Sequence, residues 1–361
     1  MGLEVRRVES AAELERLAEY RYRVYVEELG LLDASAAGAG RRLVDALDEA
    51  SISYAVFDGD RVVGSLRFTH LPAVPDPEPL VRKFDYADVI EEFGAAAVCM
   101  TSRFIVDEEV TRSRAMLRMM ELCSEDAAAR GVRFNYGDTS PGLLLFYEHM
   151  GYRRYTRPWN DPVYGFKLPI VMLAADQERF RAVRSPLLRI ALRSPHDEET
   201  RAWFEAAYPA YVECESAPFH PPGGFVAMVE RRLGGRLSEL PGLLEGLDDA
   251  ELEALLQKAS LFDVRGGDRI LRPGEAEQGL LLVLSGEIVV RAPGGSGVTL
   301  VPGDVFGDVG GRFVRRADAE VVAESAGSLL VLPAGHVEHL LAGGDDRLGG
   351  LRARLRGLLG V

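Results

Sequence analysis

The sequence predicts a two-domain chain: an α/β (α+β) first half, a helical linker, and a small β-barrel or jelly roll over the last third. Three observations carry this. At 361 residues there is enough chain for two hydrophobic cores. The first half alternates strand-like and helix-like segments. The last third breaks into short apolar runs separated by glycine-rich turns, the spacing of a compact antiparallel β domain. The expected boundaries are 1–190, 191–243 and 244–361.

Taken in order, Leu3–Val8 alternates like an opening strand, and Ser10 with Glu13 has the spacing of a helix capping box. The helix that follows carries Leu14, Leu17, Tyr20, Tyr22 and Val24 as far as Gly30. After a polar loop from Asp33 to Arg42, ISYAVFDGDRVVGSLRFTH places Asp58-Gly59 between two apolar runs, a hairpin signature. The Pro-rich LPAVPDPEP reads as a loop and Ala96–Val106 as a strand. Thr111–Arg130 is helical in composition and ends at Gly131. VRFNYGD is a further strand, Pro141–Met150 a short helix, and Gly151-Tyr152 leads back into a strand.

From Ala175 to about Leu240 the chain is helical and linker-like, then Asp248–Lys258 forms a short helix before the glycine-punctuated strands begin. In the tail, Leu348, Leu351, Leu355 and Leu358 fall at helical spacing, with Arg352, Arg354 and Arg356 between them.

Composition narrows the function. Hydrophobic content of 47% and charged content of 27% are those of a soluble globular protein. A net charge of −14 argues against a general nucleic-acid binder. Cys99, Cys123 and Cys214 are too few and too dispersed for a disulfide framework or a zinc cluster, so no metal is expected and a reducing compartment fits. MGLEVRRVES has no apolar signal region, and no run reaches the ~20 apolar residues of a membrane span. A cytoplasmic location is the default. His70 and His149 lack metal-ligand spacing, and His149 is expected to face solvent.

The order strand, helix, hairpin, strand, long helix, strand, helix, strand resembles the GNAT (Gcn5-related N-acyltransferase) superfamily, which implies a central mixed sheet. LLLFYEHMGYRRY, residues 143–155, is its best local match. The resemblance implies that Tyr147 protonates the departing thiolate; general-acid help of this kind contributes ~10²–10⁴-fold. The plainer alternative is a packed tyrosine bonded elsewhere. The family's glycine-rich pyrophosphate loop corresponds to VDEEVTRSRAMLRMM, which contains no glycine. Val106, Thr111, Arg112, Ser113 and Arg114 at the start of the following helix would then meet the cofactor. Side chains at the glycine positions argue against ordinary acetyl-CoA binding.

RYRVYVEELG (21–30), VDALD (44–48), GSLR (64–67) and TSRF (101–104) resemble the acyl-homoserine-lactone synthases and long-chain N-acyl amino acid synthases, a branch without that glycine loop. KLPIVMLAADQERFRAVRSP (167–186) resembles the segment closing the acyl tunnel there. The resemblance covers about residues 3–190. It implies an acyl-carrier protein or acyl-CoA donor, and a substrate site of Arg23, Asp45, Asp48, Arg67 and Arg103, whose guanidinium forks suit a carboxylate. Backbone N–H groups of the Phe104, Ile105 and Val106 strand would stabilise the oxyanion, each such donor contributing about 3 kcal/mol. For Asp45 and Asp48 the weightier alternative is an internal ion-pair network. Met100 stands where the lactone synthases place a glutamate, which favours an amino acid or another small amine as acceptor.

Residues 245–345 resemble the cyclic nucleotide-binding domain, through GDRILRPGE, LLLVLSGEIVV and PGDVFGD, with Gly286 and Gly303 at turns that need positive φ. The family's ligand cassette maps onto Phe306, Gly307, Asp308 and, with one extra residue allowed, Arg316. Asp308 is a methylene shorter than the family's glutamate, and Gly310-Gly311 replaces its Ala-Leu. Asp318 and Glu320 add carboxylates where a cyclic phosphate would sit, so a retained fold with an altered ligand site is expected. The tail helix could cap that pocket, pair with a second subunit, or pack on its own domain.

Together these readings imply an N-acyltransferase moving an acyl group, expected to be fatty, to a small amine. One rival is a cyclic-nucleotide-gated protein-lysine acetyltransferase; the other is a non-enzymatic scaffold whose sites have decayed.

Overall fold

The computed structural model describes residues 2–29, 32, 40–111, 113–273, 279–292, 294, 297–309, 312–314 and 319–360, apart from the side chains of 308 and 312–314. Contacts divide the chain into two compact units: residues 1–138, 150–155 and 169–209 form one, and 139–149, 156–168 and 210–361 the other.

The strands of the first half are β1 (Glu4–Arg7), β2 (Ser51–Asp58), β3 (Arg61–His70), β4 (Val98–Val106), β5 (Phe134–Thr139), β6 (Arg153–Arg154), β7 (Trp159–Asp161) and β8 (Gly165–Leu173). They form one mixed sheet in the order β1-β2-β3-β4-β5-β8-β6, with β7 on β8. The β4–β5 pair is parallel, as a crossover through the helix Arg114–Ala129 requires.

The period-2 alternation of β2 sorts its side chains to two faces. Tyr54 and Val56 pack with Met119, Cys123 and Ala127 of that helix. Ala55 and Phe57 pack with Leu17, Tyr20 and Val24. Both faces of the sheet are therefore covered, which is why β2 and β3 read as nearly continuous apolar runs.

The local signals hold. Ser10 and Glu13 form the capping box of the helix Ala11–Tyr22. Asp58 pairs with Arg61 across a two-residue turn in which Gly59 has φ +62°. Three points differ from expectation. Leu14 is 48% exposed and lies off the buried face. The first helix continues as a π-helical segment, Arg23–Glu28. The stretch after the Pro-rich segment contains two helices, Glu78–Phe84 and Ala87–Phe93. Proline at the first turn starts a helix as readily as it breaks one.

In the second unit the strands are β9 (Ser260–Val264), β10 (Arg269–Leu271), β11 (Gly279–Ser285), β12 (Ile288–Arg291), β13 (Gly297–Leu300), β14 (Val305–Val309), β15 (Arg312–Val314), β16 (Glu320–Ala323) and β17 (Gly327–Pro333). They form two antiparallel sheets, β10-β16-β12-β13 and β15-β14-β11-β17-β9. Among the described residues this is the two-sheet, jelly-roll form of the expectation and not a closed barrel. Leu280, Leu282, Leu330 and Leu332 pack against Leu252 and Leu255 of the helix Asp249–Leu256 and against Leu351 and Leu355 of the tail helix Gly349–Leu359. Leu351 and Leu355 are fully buried on their own unit, so packing is what these tail leucines do, and a partner subunit could not use them.

Gly286 and Gly303 adopt φ +84° and +98°. A Cβ at Gly303 would lie 2.2 Å from the Pro241 carbonyl oxygen, a clash with backbone. Gly303→Ala is expected to destabilise this unit by about 2 kcal/mol, measured as a lower thermal midpoint; an unchanged midpoint would show that the turn relaxes freely.

Candidate active site

The site is organised by an irregularity in β4. Its pairing with β5 runs Val98↔Phe134, Cys99↔Asn135 and Met100↔Tyr136, and the register goes no further. On the other edge β3 pairs with β4 as far as Val106, but the register shifts between Ser65↔Ile105 and Arg67↔Ser102. Two residues, Arg103 and Phe104, therefore stand opposite Leu66. Arg103 has φ +55°, a left-handed conformation that ordinarily costs a non-glycine residue ~1–3 kcal/mol. Beyond Met100, residues Thr101 to Val106 are half-buried.

The bulge sends Arg103 to a buried cluster of arginines and aspartates. Asp45 accepts from Arg67 and from Arg103, both at 2.6 Å, and from the Leu47 backbone N–H at 3.0 Å. Asp48 accepts from Arg21 at 2.7 Å, from Arg67 at 3.1 Å and from the Asp45 N–H at 2.9 Å. Arg67 also donates to Ser102, and Arg21 to Ser53 and Ser65, each at 3.1 Å. The Arg103 guanidinium lies 5.1 Å from the centre of the Tyr25 ring. The side chains of Arg21 and Arg67 are 3% and 4% exposed, so their charges persist only because carboxylates and hydroxyls surround them.

Four of the five expected substrate residues, Asp45, Asp48, Arg67 and Arg103, thus come together. The fifth, Arg23, is bound to Asp107 at 3.0 and 3.1 Å and to Glu28. The residue that sequence reasoning missed is Arg21. The signal was present: it follows Leu17 by four positions, on the helix face that also buries Tyr20.

Burial pushes the Asp45 carboxyl up, but Arg67 beside it, with hydrogen bonds from Arg103 and Arg67, holds it down at about 2. A carboxylate whose folded pKa lies below its unfolded value of about 3.9 stabilises above that value and loses its contribution as the pH falls through the folded one. Asp45→Asn is therefore expected to be less stable than the parent protein at neutral pH. The difference in urea midpoint should close between about pH 4 and pH 2; a difference that stays constant over that range would contradict the assignment.

The expected cofactor residues lie at the end of β4 and the start of the helix Arg114–Ala129. Val106 is half-buried, and Arg114 is exposed. Ser113 caps the helix, accepting from the Ala115 N–H at 3.1 Å and donating to the Val110 carbonyl at 2.7 Å. The Thr111 hydroxyl donates to the Glu108 carbonyl at 2.6 Å. Arg112 lies outside the described residues. Tyr147 is half-buried in the helix Leu144–Met150, edge-to-face with Phe146, and falls in the second compact unit. His149 does not simply face solvent, because its ring stacks on Phe219.

A cleft of about 400 Å³ opens in the first unit, lined by Ala127, Val132, Met172, Phe180, Leu187 and Ile190 among others. Asn135 also lines it, and accepts a 2.8 Å hydrogen bond from Thr101, the first β4 residue past the last β5 pair. Glu178, His196 and Glu198 lie close enough together to hold a cation, but both glutamates are bound to Arg201 at 2.7 Å.

In the second unit Phe306 and Gly307 sit in β14, paired with Leu281 and Leu280. The Asp308 side chain, Gly310-Gly311, Arg316 and Asp318 lie outside the described residues. Glu320 points to two half-exposed arginines, Arg269 at 2.6 Å and Arg291 at 3.8 Å.

The family model described as N-acyl amino acid synthase FeeM matches residues 16–195. The N-terminal domain belongs to the FeeM family. This FeeM-type domain makes the chain an N-acyltransferase. A second family model, the cyclic nucleotide-binding domain, matches residues 261–343.

Among solved structures, the chain is similar to TofI in a ternary complex with an inhibitor and MTA (20% identity, 52% of this chain and all of that one, TM-score 0.40). It is also similar to FeeM, an N-acyl amino acid synthase from uncultured soil microbes (13% identity, 52% and 98%, TM-score 0.41). The Thermus thermophilus catabolite activator protein is similar at 27% identity over 33% of this chain and 56% of its own (TM-score 0.27). No curated protein matches. Among the described residues no helix is long and apolar enough to cross a membrane.

Proposed function

We propose that the FeeM-type domain transfers a fatty acyl group from an acyl-carrier protein or CoA thioester to the amino group of a small carboxylate-bearing amine such as an amino acid. The observation that carries this is the bulge at Arg103, which lies just past the point where β4 leaves β5 and brings a second guanidinium onto Asp45. A substrate carboxylate would bind at Arg103, with Arg67 and Asp45 fixing its orientation. The amine nitrogen attacks the thioester carbonyl, a C–N bond forms and the C–S bond breaks. Backbone N–H groups of Phe104 to Val106 meet the developing oxyanion. The amine proton leaves to solvent, and Tyr147 is the proton donor to the departing thiolate.

The cleft lined by Met172, Phe180, Leu187 and Ile190, with Asn135 in its wall, supports a long acyl chain. Its volume of about 400 Å³ falls in the ~300–1,000 Å³ range of small-ligand sites. Ser113 and Thr111, whose hydroxyls serve the local backbone, leave donor binding at that end to the helix N-terminus and its neighbouring arginines.

Mass spectrometry of products from palmitoyl and acetyl thioesters with a pool of amino acids tests the reading. N-palmitoyl amino acids are expected; N-acetyl products alone would overturn the fatty-acyl assignment. The C-terminal domain is expected to give no saturable heat with cyclic AMP at micromolar concentrations, because Glu320 replaces a small hydroxyl of the cassette. A clear isotherm would refute that.

A further inference from the structure

We propose that the C-terminal domain holds the helix carrying Tyr147, with Arg272 and Glu148 as positioning residues for acyl transfer; this rests on the acyl-transfer reading above. Residues 139–149 and 156–168 lie within the FeeM match, yet by packing they belong with 210–361. The helix Leu144–Met150 and the strand β8 both begin in that unit and run on into the other.

Two hydrogen-bonded routes, both inside the second unit, reach that helix. The first comes from β9. Glu148, 1% exposed, accepts the Glu215 N–H at 2.9 Å. The Glu215 carbonyl accepts from Leu261 of β9 at 2.7 Å, and the hydroxyls of Ser216 and Ser260 meet at 2.6 Å. Beside them the rings of His149 and Phe219 stack with centroids 6.1 Å apart.

The second route comes from β10. Arg272, next after that strand, donates to the carbonyls of Asp161 and, at 2.9 Å, of Val163, at the turn between β7 and β8. Asn160 accepts from the Arg269 N–H at 3.1 Å, and Phe166 faces Phe262. Lys167 of β8 then donates to Ser140 at 2.9 Å, and the Ser140 carbonyl accepts the Leu143 N–H at 3.0 Å in the turn Pro141–Leu143 that leads into the helix.

A seven-residue helix is far below the ~12–15 residues that hold themselves in water, so its placement is set by what it packs on. The bonds that place it lead to β9 through Glu215, and to β10 through Arg272, the β7–β8 turn and Lys167; these are the strands that open the domain resembling a ligand sensor. Any ligand favouring one arrangement of those strands would bias the helix by the same free energy.

The test is hydrogen–deuterium exchange and steady-state kinetics on the full chain, comparing the parent protein with Arg272→Ala, Arg272→Lys and Glu148→Met. In Arg272→Ala the amides of residues 144–150 should exchange about tenfold faster, while those of 114–129 keep their protection. The kcat with a palmitoyl thioester should fall about tenfold with its KM unchanged, and Arg272→Lys, lacking the fork, should not restore it. Glu148→Met, without the acceptor, should give the same exchange signature if Arg272→Ala fails to fold. Unchanged exchange at 144–150 in the folded variants would overturn the proposal. A parent protein inactive with every thioester would overturn the acyl-transfer reading instead, and the exchange result would still judge the coupling.

Discussion

Arg67→Met is expected to destabilise the N-terminal unit by about 3 kcal/mol, read as a lower urea midpoint at neutral pH. Arg67 is 4% exposed and donates to Asp45, Asp48 and Ser102, so it bridges the two aspartates of the cluster. Its loss leaves Asp45 and Asp48 as neighbouring carboxylates with one counter-ion fewer. Methionine fills much of the volume, so the loss reports charge more than a cavity. The double variant Arg67→Met/Asp45→Asn removes both halves of one pair, and its loss should fall short of the summed single losses by about 1 kcal/mol or more. Strict additivity, or a single-variant loss below about 0.5 kcal/mol, would mean that Arg67 and Asp45 do not act together.

Arg103→Lys is expected to lower kcat/KM for an amino-acid acceptor about a hundredfold, through KM for the acceptor, with KM for the thioester unchanged. Lysine keeps the charge but offers a point donor where arginine offers a planar fork. At a bulged, left-handed position the backbone sets where the side chain starts, and a flexible ammonium cannot reach both Asp45 and a bound carboxylate with the same geometry. The fold should survive, because Arg103 is the outermost arginine of the cluster, 9% exposed, and lysine still neutralises Asp45. An equal fall in kcat with both substrates' KM unchanged would place Arg103 on the transition state and not on the acceptor.

Much of this was legible from residue types and spacing. The Ser10–Glu13 capping box, the Asp58-Gly59 hairpin and the positive-φ turns at Gly286 and Gly303 are local, and local chemistry decides them. Asp45, Asp48, Arg67 and Arg103 were legible because motifs on three separate segments matched one family. Arg21 was only half legible: its spacing from Leu17 places it on the buried face of its helix, but its partners arrive from β2, β3 and the 44–48 segment, which the helix pattern alone does not show. The bulge at Arg103 left no trace either: positive φ is advertised by glycine or asparagine, and here an arginine is forced into it by tertiary contacts. The helix Glu78–Phe84 was hidden by prolines that stand at its start, Pro77 at the N-cap and Pro79 in the first turn. The attachment of residues 139–149 and 156–168 to the C-terminal unit could not be read at all, since it depends on Arg272 and Glu215, more than 60 residues away in sequence.

The most direct measurement pairs two acceptors that differ only in the carboxylate, for example tyrosine and tyramine, with a palmitoyl thioester, following N-acyl product by mass spectrometry. Rapid N-palmitoyltyrosine formation is expected, with a rate for tyramine lower by about two orders of magnitude and near equality of the two in Arg103→Lys. Equal rates with both acceptors in the parent protein would contradict carboxylate recognition by the arginine–aspartate cluster, and no N-acyl product from either would contradict the account as a whole.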